Sequence, residues 1–481
     1  MILENKASRR VGFYFEEIAT IPHGSGDCGH MAEYLITFAK AHDLTYYVDD
    51  SYNVVIYKPA APGYEEAPTV ILQGHMDMVC EKTPQSRHDF STDPLQLLVQ
   101  GDELSAVDTT LGADDGIAVA YMLAILEETA YQHPALEAVF TSDEEIGLLG
   151  AAALDCSVLQ GRLLINLDSE EEGELLAGCA GGATVIASLP MERVAKTAHE
   201  VTIRVSGLVG GHSGTEIDQH RANANMLMAR VLFEMSQTVE FHLVSLRGGQ
   251  KENAITRECT AVVLIAEDEI AAVQAAVSKL ETAFAREYLG IEEGIRVTAD
   301  VQSETTQQVL TPGSLHRLIF FLTNLPNGIQ KMSGTMAGLP ETSSNPGIVT
   351  LRDTELVTQS GVRSSIESSR DYLVQKIEYL AEFMGGEIEV KGLYPAWEFR
   401  EHSSLREIMS AVYQQEFGRE LHIHAVHAGL ECGIFYEKIP GLDCVSIGPD
   451  MKGVHTTEEH LSLASTEHVW LFLRKTLESI K

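Results

Sequence analysis

The chain has 481 residues, 44% of them hydrophobic and 22% charged, which is the balance of a folded protein with sizeable buried cores and, at this length, of about two to four domains. Lys and Arg together number 34 against 70 Asp and Glu, a formal net charge of −36. A surface that negative repels phosphate backbones and anionic lipid, so nucleic acid and membrane surfaces are excluded as expected partners.

In chain order, the opening residues lack the apolar core of a signal peptide, and no apolar run reaches the roughly 18 residues that span a bilayer. Residues 7–42 are predicted to form two helices, split by the turn Ile21-Pro22-His23-Gly24-Ser25-Gly26. Apolar strands follow at 53–57 and 69–73, the second running into Gly74-His75-Met76-Asp77. A helix is predicted over 116–128, opened by Gly112-Ala113-Asp114-Asp115-Gly116. Buried strands at 135–142 and 163–168 end at Asp143-Glu144-Glu145 and at Asp168. From about 185 to 392 the pattern changes to alternating strands, and the order strand–helix–strand–strand–helix recurs. Residues 393–481 return to the α/β pattern, with a helix at 404–416, strands at 421–426 and 443–448, and a closing helix from about 465. The expected architecture is therefore α/β: a discontinuous catalytic domain (1–184 and 393–481) with a mostly parallel sheet flanked by helices, interrupted by an α+β lid domain (185–392). The seven cysteines are odd in number, scattered and never in a Cys-x-x-Cys pair, which is thiol usage of a reducing compartment and places the chain in the cytoplasm.

In an open α/β sheet the chemistry gathers at the carboxyl ends of the strands, and each His or acidic cluster falls at such an end. Singly, each reads as a solvated turn or a helix cap. Together, with Gly453-Val454-His455-Thr456, they offer two imidazoles and several carboxylates, a nitrogen and oxygen donor set that zinc, manganese or cobalt accepts. A dinuclear site needs a bridging carboxylate and then one His and one carboxylate for each ion. Asp114 can bridge, His75 with Asp168 and His455 with Glu145 complete two half-sites, and the count closes. Asp77 lies two residues after His75, on the same side of an extended segment, and can accept the imidazole's second N–H. Glu144 can take a proton from metal-bound water and pass it to a leaving amine. His422, His424 and His427 also cluster, but their alternation fits a strand face and its edge better than a ligand role. Cys80, near the His75 turn, reads as a buried apolar thiol.

The motifs GHMDMV, LGADDGIA, TSDEEIGLLGA, INLDSE and GVHTTEEH resemble the metal-site motifs of the di-zinc metallopeptidases that include carboxypeptidase G, the tripeptidase PepT and the carnosinases. Gly116, where most of that clan carries Lys, is similar to the cytosolic aminoacyl-histidine dipeptidases of PepD type. The likeness spans essentially the whole chain. It implies two Zn2+ per chain (Mn2+ or Co2+ being possible substitutes) held by His75, Asp114, Glu145, Asp168 and His455, with Asp77 and Glu144 catalytic. It further implies hydrolysis of small dipeptides of the Xaa-His type or more broadly; the alternative is an amidohydrolase acting on N-acyl amino acids. In the lid, Gly210-Gly211-His212-Ser213-Gly214, Glu252-Asn253-Ala254-Ile255 and Gly361-Val362-Arg363-Ser364-Ser365 resemble the family's substrate-binding segments. His212 would meet the scissile carbonyl, Asn253 would bind substrate, and Arg363 would clamp a free carboxylate through paired hydrogen bonds. The resemblance also implies a homodimer through the lid, with His212 serving the neighbouring subunit.

Overall fold

A computed structural model describes residues 4, 6 and 8–481, so residue 7, where the first helix is expected to begin, lies outside the described residues. The chain divides into two compact units. The first takes the described residues up to Cys179 together with Trp397–Ala425 and Leu430–Lys481; the second takes Ala180–Ala396 and Val426–Gly429.

The first unit is built on an eight-stranded sheet in the order Thr45–Val48, Val54–Lys58, Leu136–Thr141, Val70–His75, Leu163–Asn166, Asp443–Ser446, Glu174–Cys179, His422–Val426. The four strands from Leu136–Thr141 to Asp443–Ser446 run parallel to one another, while Val54–Lys58 and Glu174–Cys179 pair antiparallel on either side of them. Val70–His75, Leu136–Thr141 and Leu163–Asn166 are buried at every residue, the signature of a sheet covered on both faces. One cover is the helix Ala113–Glu127, which is buried from Ala113 to Leu126 and apolar all round beyond Asp114 and Asp115 in its first turn. It approaches Val70–His75 so closely that a Cβ on Gly74 would stand 2.5 Å from the Ala118 Cβ and from an Asp115 carboxylate oxygen. Tyr121 on this helix stacks on Trp470 of the closing helix Leu463–Ser479, with ring centroids 6.4 Å apart. A separate four-stranded sheet (Met451–Lys452, His460–Ser462, Glu103–Ala106, Leu97–Gln100) frames the loop that carries His455.

The second unit has its own core and a nine-stranded sheet in which the pairings between neighbouring strands are antiparallel. The order strand–helix–strand–strand–helix occurs twice. Arg193–Ser206, Ala224–Ser236, Phe241–Gly248, Cys259–Ile265 and Ile270–Glu287 form the first set. Arg296–Leu310, Pro312–Asn324, Pro340–Leu351, Glu355–Ser364 and Glu367–Phe383 form the second. Strands here run longer than their apolar cores predict. Residues 193–199 pair with 304–310 as a ribbon that is largely exposed and mixes polar with small side chains, which gives little hydrophobic signal in sequence. Among the described residues no helix is long and apolar enough to cross a membrane. All seven cysteines are free thiols, and Cys80, expected to be buried, is exposed.

Candidate metal centre

Three parallel strands deliver their acidic and imidazole residues to one end of the sheet. His75 closes Val70–His75, Glu144 and Glu145 follow Leu136–Thr141, and Asp168 follows Leu163–Asn166. Asp114 sits in the first turn of Ala113–Glu127, where its backbone leaves helical geometry, and the Asp114–Asp115 peptide is cis. Gly112 before it adopts a φ of 67°, and a side chain there would meet the Met78 sulfur at 2.8 Å.

The two oxygens of Asp114 face two different imidazoles. Oδ1 lies 2.9 Å from His75 Nε2 and Oδ2 lies 3.1 Å from His455 Nε2. On the first side His75 Nε2 is also 3.7 Å from Asp168 Oδ1; on the second, His455 Nε2 is 2.8 Å from Glu145 Oε1. The two sides differ in exposure: the His75 side chain is 1% exposed and that of His455 49%. The donor chemistry fits two divalent cations. Burial pushes Asp168 well above the usual carboxylate range, with Asp115 adding to it, and burial pushes Glu144 up to about 8. Burial acts on Asp114 as well, but hydrogen bonds from His455 and His75 outweigh it and hold this carboxylate below its ordinary range. So many carboxylates in one buried volume demand compensating positive charge.

Asp77 stands beside the His75 imidazole, where its carboxylate is the farther of two acceptors. His75 Nδ1 donates to the backbone carbonyl of Asp77 at 3.0 Å, and the Asp77 carboxylate stands farther off at 3.4 Å. That carboxylate accepts instead from Ser25 Oγ (2.8 Å), Glu144 N (3.0 Å) and Glu145 N (3.4 Å), so it anchors the acidic loop as well as the imidazole. Three further carboxylates belong to the site without standing out in the sequence. Asp115 accepts from the His75 backbone N–H. Glu431, fully buried, accepts from Gln73 and Thr141. Glu459 accepts from the backbone N–H groups of Leu111, Gly112 and Ala113 at 2.8, 3.2 and 2.8 Å, clamping the turn that presents Asp114. Its position inside GVHTTEEH is the available signal.

In the second unit, the short pair Gly211–His212 with Ala254–Ile255 sets the His212 segment beside the Asn253 loop, and Ser213 N donates to the Asn253 carbonyl at 2.8 Å. His212 Nδ1 accepts from the Thr215 backbone N–H, so its proton sits on Nε2. Burial and then Arg363 lower its pKa to about 4, and the ring is neutral at pH 7. Arg363 Nη2 lies 3.4 Å from that same Nε2, while Arg363 Nη1 donates to Tyr394 Oη at 2.7 Å. The imidazole and the guanidinium thus stand side by side. His427, buried nearby in the fold of this unit, pairs with Ser343 Oγ at 2.8 Å.

Residues 71–479 match the model of peptidase family M20/M25/M40. The chain belongs to this family. It is 36% identical, over 97% of its length and 96% of the relative's, to the cytosol non-specific dipeptidase of Escherichia coli (strain K12). Its fold is similar to the crystal structure of aminoacylhistidine dipeptidase from Vibrio alginolyticus, with a TM-score of 0.92, 34% identity, and coverage of 100% of this chain and 98% of that one. Aminopeptidase PepT from Bacillus cereus ATCC 10987 shares the fold at a TM-score of 0.57 and 16% identity, covering 99% of each chain.

The Glu459 clamp generates a prediction of its own. Glu459→Ala leaves buried N–H groups of the Asp114 turn without an acceptor, a loss of about 1–3 kcal/mol for such a group. Chemical denaturation should show a destabilisation of at least that size, together with weaker metal retention. Unchanged stability would remove the clamp from the account.

Proposed function

We propose that this M20 peptidase is a dinuclear metallo-dipeptidase, and the observation that carries the reading is the pair of Asp114 oxygens directed at two imidazoles, each with its own carboxylate partner. Metal-dependent dipeptide hydrolysis also agrees with the two dipeptidases that the chain resembles over nearly its full length. We assign His75, Asp168 and Asp114 to one ion and His455, Glu145 and Asp114 to the other, with zinc the proposed metal; manganese and cobalt suit the same donors. When bound, such ions act as Lewis acids towards water and the scissile carbonyl. Glu144, uncommitted to either half-site and raised above the ordinary carboxylate range by burial, takes the proton of the attacking water and delivers it to the leaving nitrogen. Asp77 fixes both His75 and the backbone of Glu144. The names of the two relatives support either a broad dipeptide range or a preference for Xaa-His; a panel of dipeptides and N-acyl amino acids separates both from deacylation.

Asp114→Ala should lose both metals and activity together, whereas Glu144→Gln should keep the metals and lose about 10²-fold or more in kcat. Elemental analysis finding no more than one tight metal in the active protein would overturn the dinuclear scheme. A Glu144→Gln protein lacking metal would move Glu144 among the ligands.

For the second unit the proposed role is substrate recognition, by His212, Asn253 and Arg363. The neutral His212 Nε2–H and the Arg363 fork are both donors, which suits the oxygens of a peptide carbonyl and a free carboxylate. Losing one partner of a buried charged pair costs about 2–5 kcal/mol. Arg363→Ala should therefore discriminate poorly between a dipeptide and its amide; undiminished preference for the free acid would refute the role.

We further propose a cytoplasmic homodimer. Seven unpaired thiols support the compartment. An apolar groove of the second unit, where Phe320, Tyr372, Tyr379 and Phe383 are exposed, supports association through the lid. The family resemblance implies that His212 serves the neighbouring subunit. Its 3.4 Å approach to Arg363 of its own chain supports a different division of labour, in which the two act as a pair on one substrate. Co-expressed Arg363→Ala and His212→Ala chains should then form inactive mixed dimers. Recovery towards half of wild-type activity would show that the two residues serve different substrates and would overturn the pairing.

A further inference from the structure

His422 and His424 stand at alternate positions of the edge strand His422–Val426, and by that spacing share one side of it. The strand beside it begins at Glu174, and the two are joined by the His422 N–H donating to the Gly173 carbonyl at 2.9 Å. This brings a carboxylate from 248 residues away onto the His-x-His pair. His422 Nδ1 lies 2.5 Å from Glu174 Oε2, and His424 Nδ1 lies 3.0 Å from the same oxygen. The two rings stack at a centroid distance of 5.2 Å, tilted 21°. The three donor atoms lie within 4.8 Å of one another.

Hydrogen bonding alone leaves this arrangement incomplete. His422 bonds Glu174 Oε2, but His424 Nδ1, shielded from solvent, makes no hydrogen bond although it lies close to the same oxygen. Two imidazole nitrogens and one carboxylate oxygen converging on one point are satisfied together by a cation. Glu172 nearby is already engaged by Arg419 and His468 and is no competitor for the histidines. A set of two nitrogens and one oxygen favours a borderline transition metal over Mg2+ or Ca2+, which take oxygen ligands.

We propose that Glu174, His422 and His424 form a third metal site, separate in its residues from the dinuclear centre, which binds a divalent transition metal such as Zn2+ and staples the edge strand to its neighbour. Edge strands expose unpaired backbone groups, and a cross-link there restrains fraying. The two histidines are exposed enough that their replacement leaves the sheet's core untouched.

The test uses full-length protein dialysed against buffered Zn2+, with metal counted by elemental analysis. The His422→Asn/His424→Asn double variant and, independently, Glu174→Gln should each hold one Zn2+ fewer per chain than wild type, with dipeptide hydrolysis retained. Added Zn2+ should raise the wild-type Tm more than that of either variant. Equal zinc content in wild type and in both active variants would overturn the site. The absolute wild-type count bears on the dinuclear centre, and the difference between wild type and variants bears on this site alone, so failure of one reading is distinguishable from failure of the other.

Discussion

A carboxylate has two oxygens that point in different directions, and the first unit is organised around using both of Asp114's at once. For Oδ1 to meet His75 and Oδ2 to meet His455, the turn bearing Asp114 must be held rigidly against two independent pieces of chain. Glu459 supplies that restraint by gathering the turn's backbone N–H groups, and it lies only four residues beyond His455, so the segment that brings the second imidazole also fixes the bridge. On the other side, the register of the parallel strands brings His75, Glu145 and Asp168 to one end of the sheet, and Asp77 holds the loop that carries Glu145. Past its first turn, which carries Asp114 and Asp115, the buried apolar helix makes the platform stiff, and a stiff platform keeps like charges from relaxing apart.

The same logic explains why acidic side chains outnumber imidazoles here. Burial raises the cost of every carboxylate, and Asp115, Glu144, Asp168 and Glu431 are all pushed upward by it. A protein bears such a concentration of charge in its interior where cations are part of the finished structure, and the ions then contribute to folding as well as to chemistry.

Much of this is legible in sequence for a physical reason. Fully buried parallel strands are continuous apolar runs, so Val70–His75, Leu136–Thr141 and Leu163–Asn166 announce themselves, and the polar residues that end them stand out. Thr45–Val48 and Leu97–Gln100 do not, because four residues are too few for a strand period to show. Side chains that act on backbone carry no pattern of their own, so the contacts made by Glu459, beyond its place in GVHTTEEH, and Asp77's hold on the Glu144 loop emerge from the fold. Pairings between distant segments, such as Glu174 with His424 or Tyr394 with Arg363, are a property of topology and not of local spacing.

His455 is held at a φ of 64°, in the left-handed region that side chains with a Cβ avoid at a cost of roughly 1–2 kcal/mol. Glycine or asparagine would sit there with less strain. Selection for heat resistance alone, blind to turnover, would therefore push this position away from histidine, and laboratory evolution of a tougher chain would erode its chemistry first at the exposed imidazole. With His455 in its proposed role as a metal ligand, durability and catalysis pull against each other at a single backbone torsion.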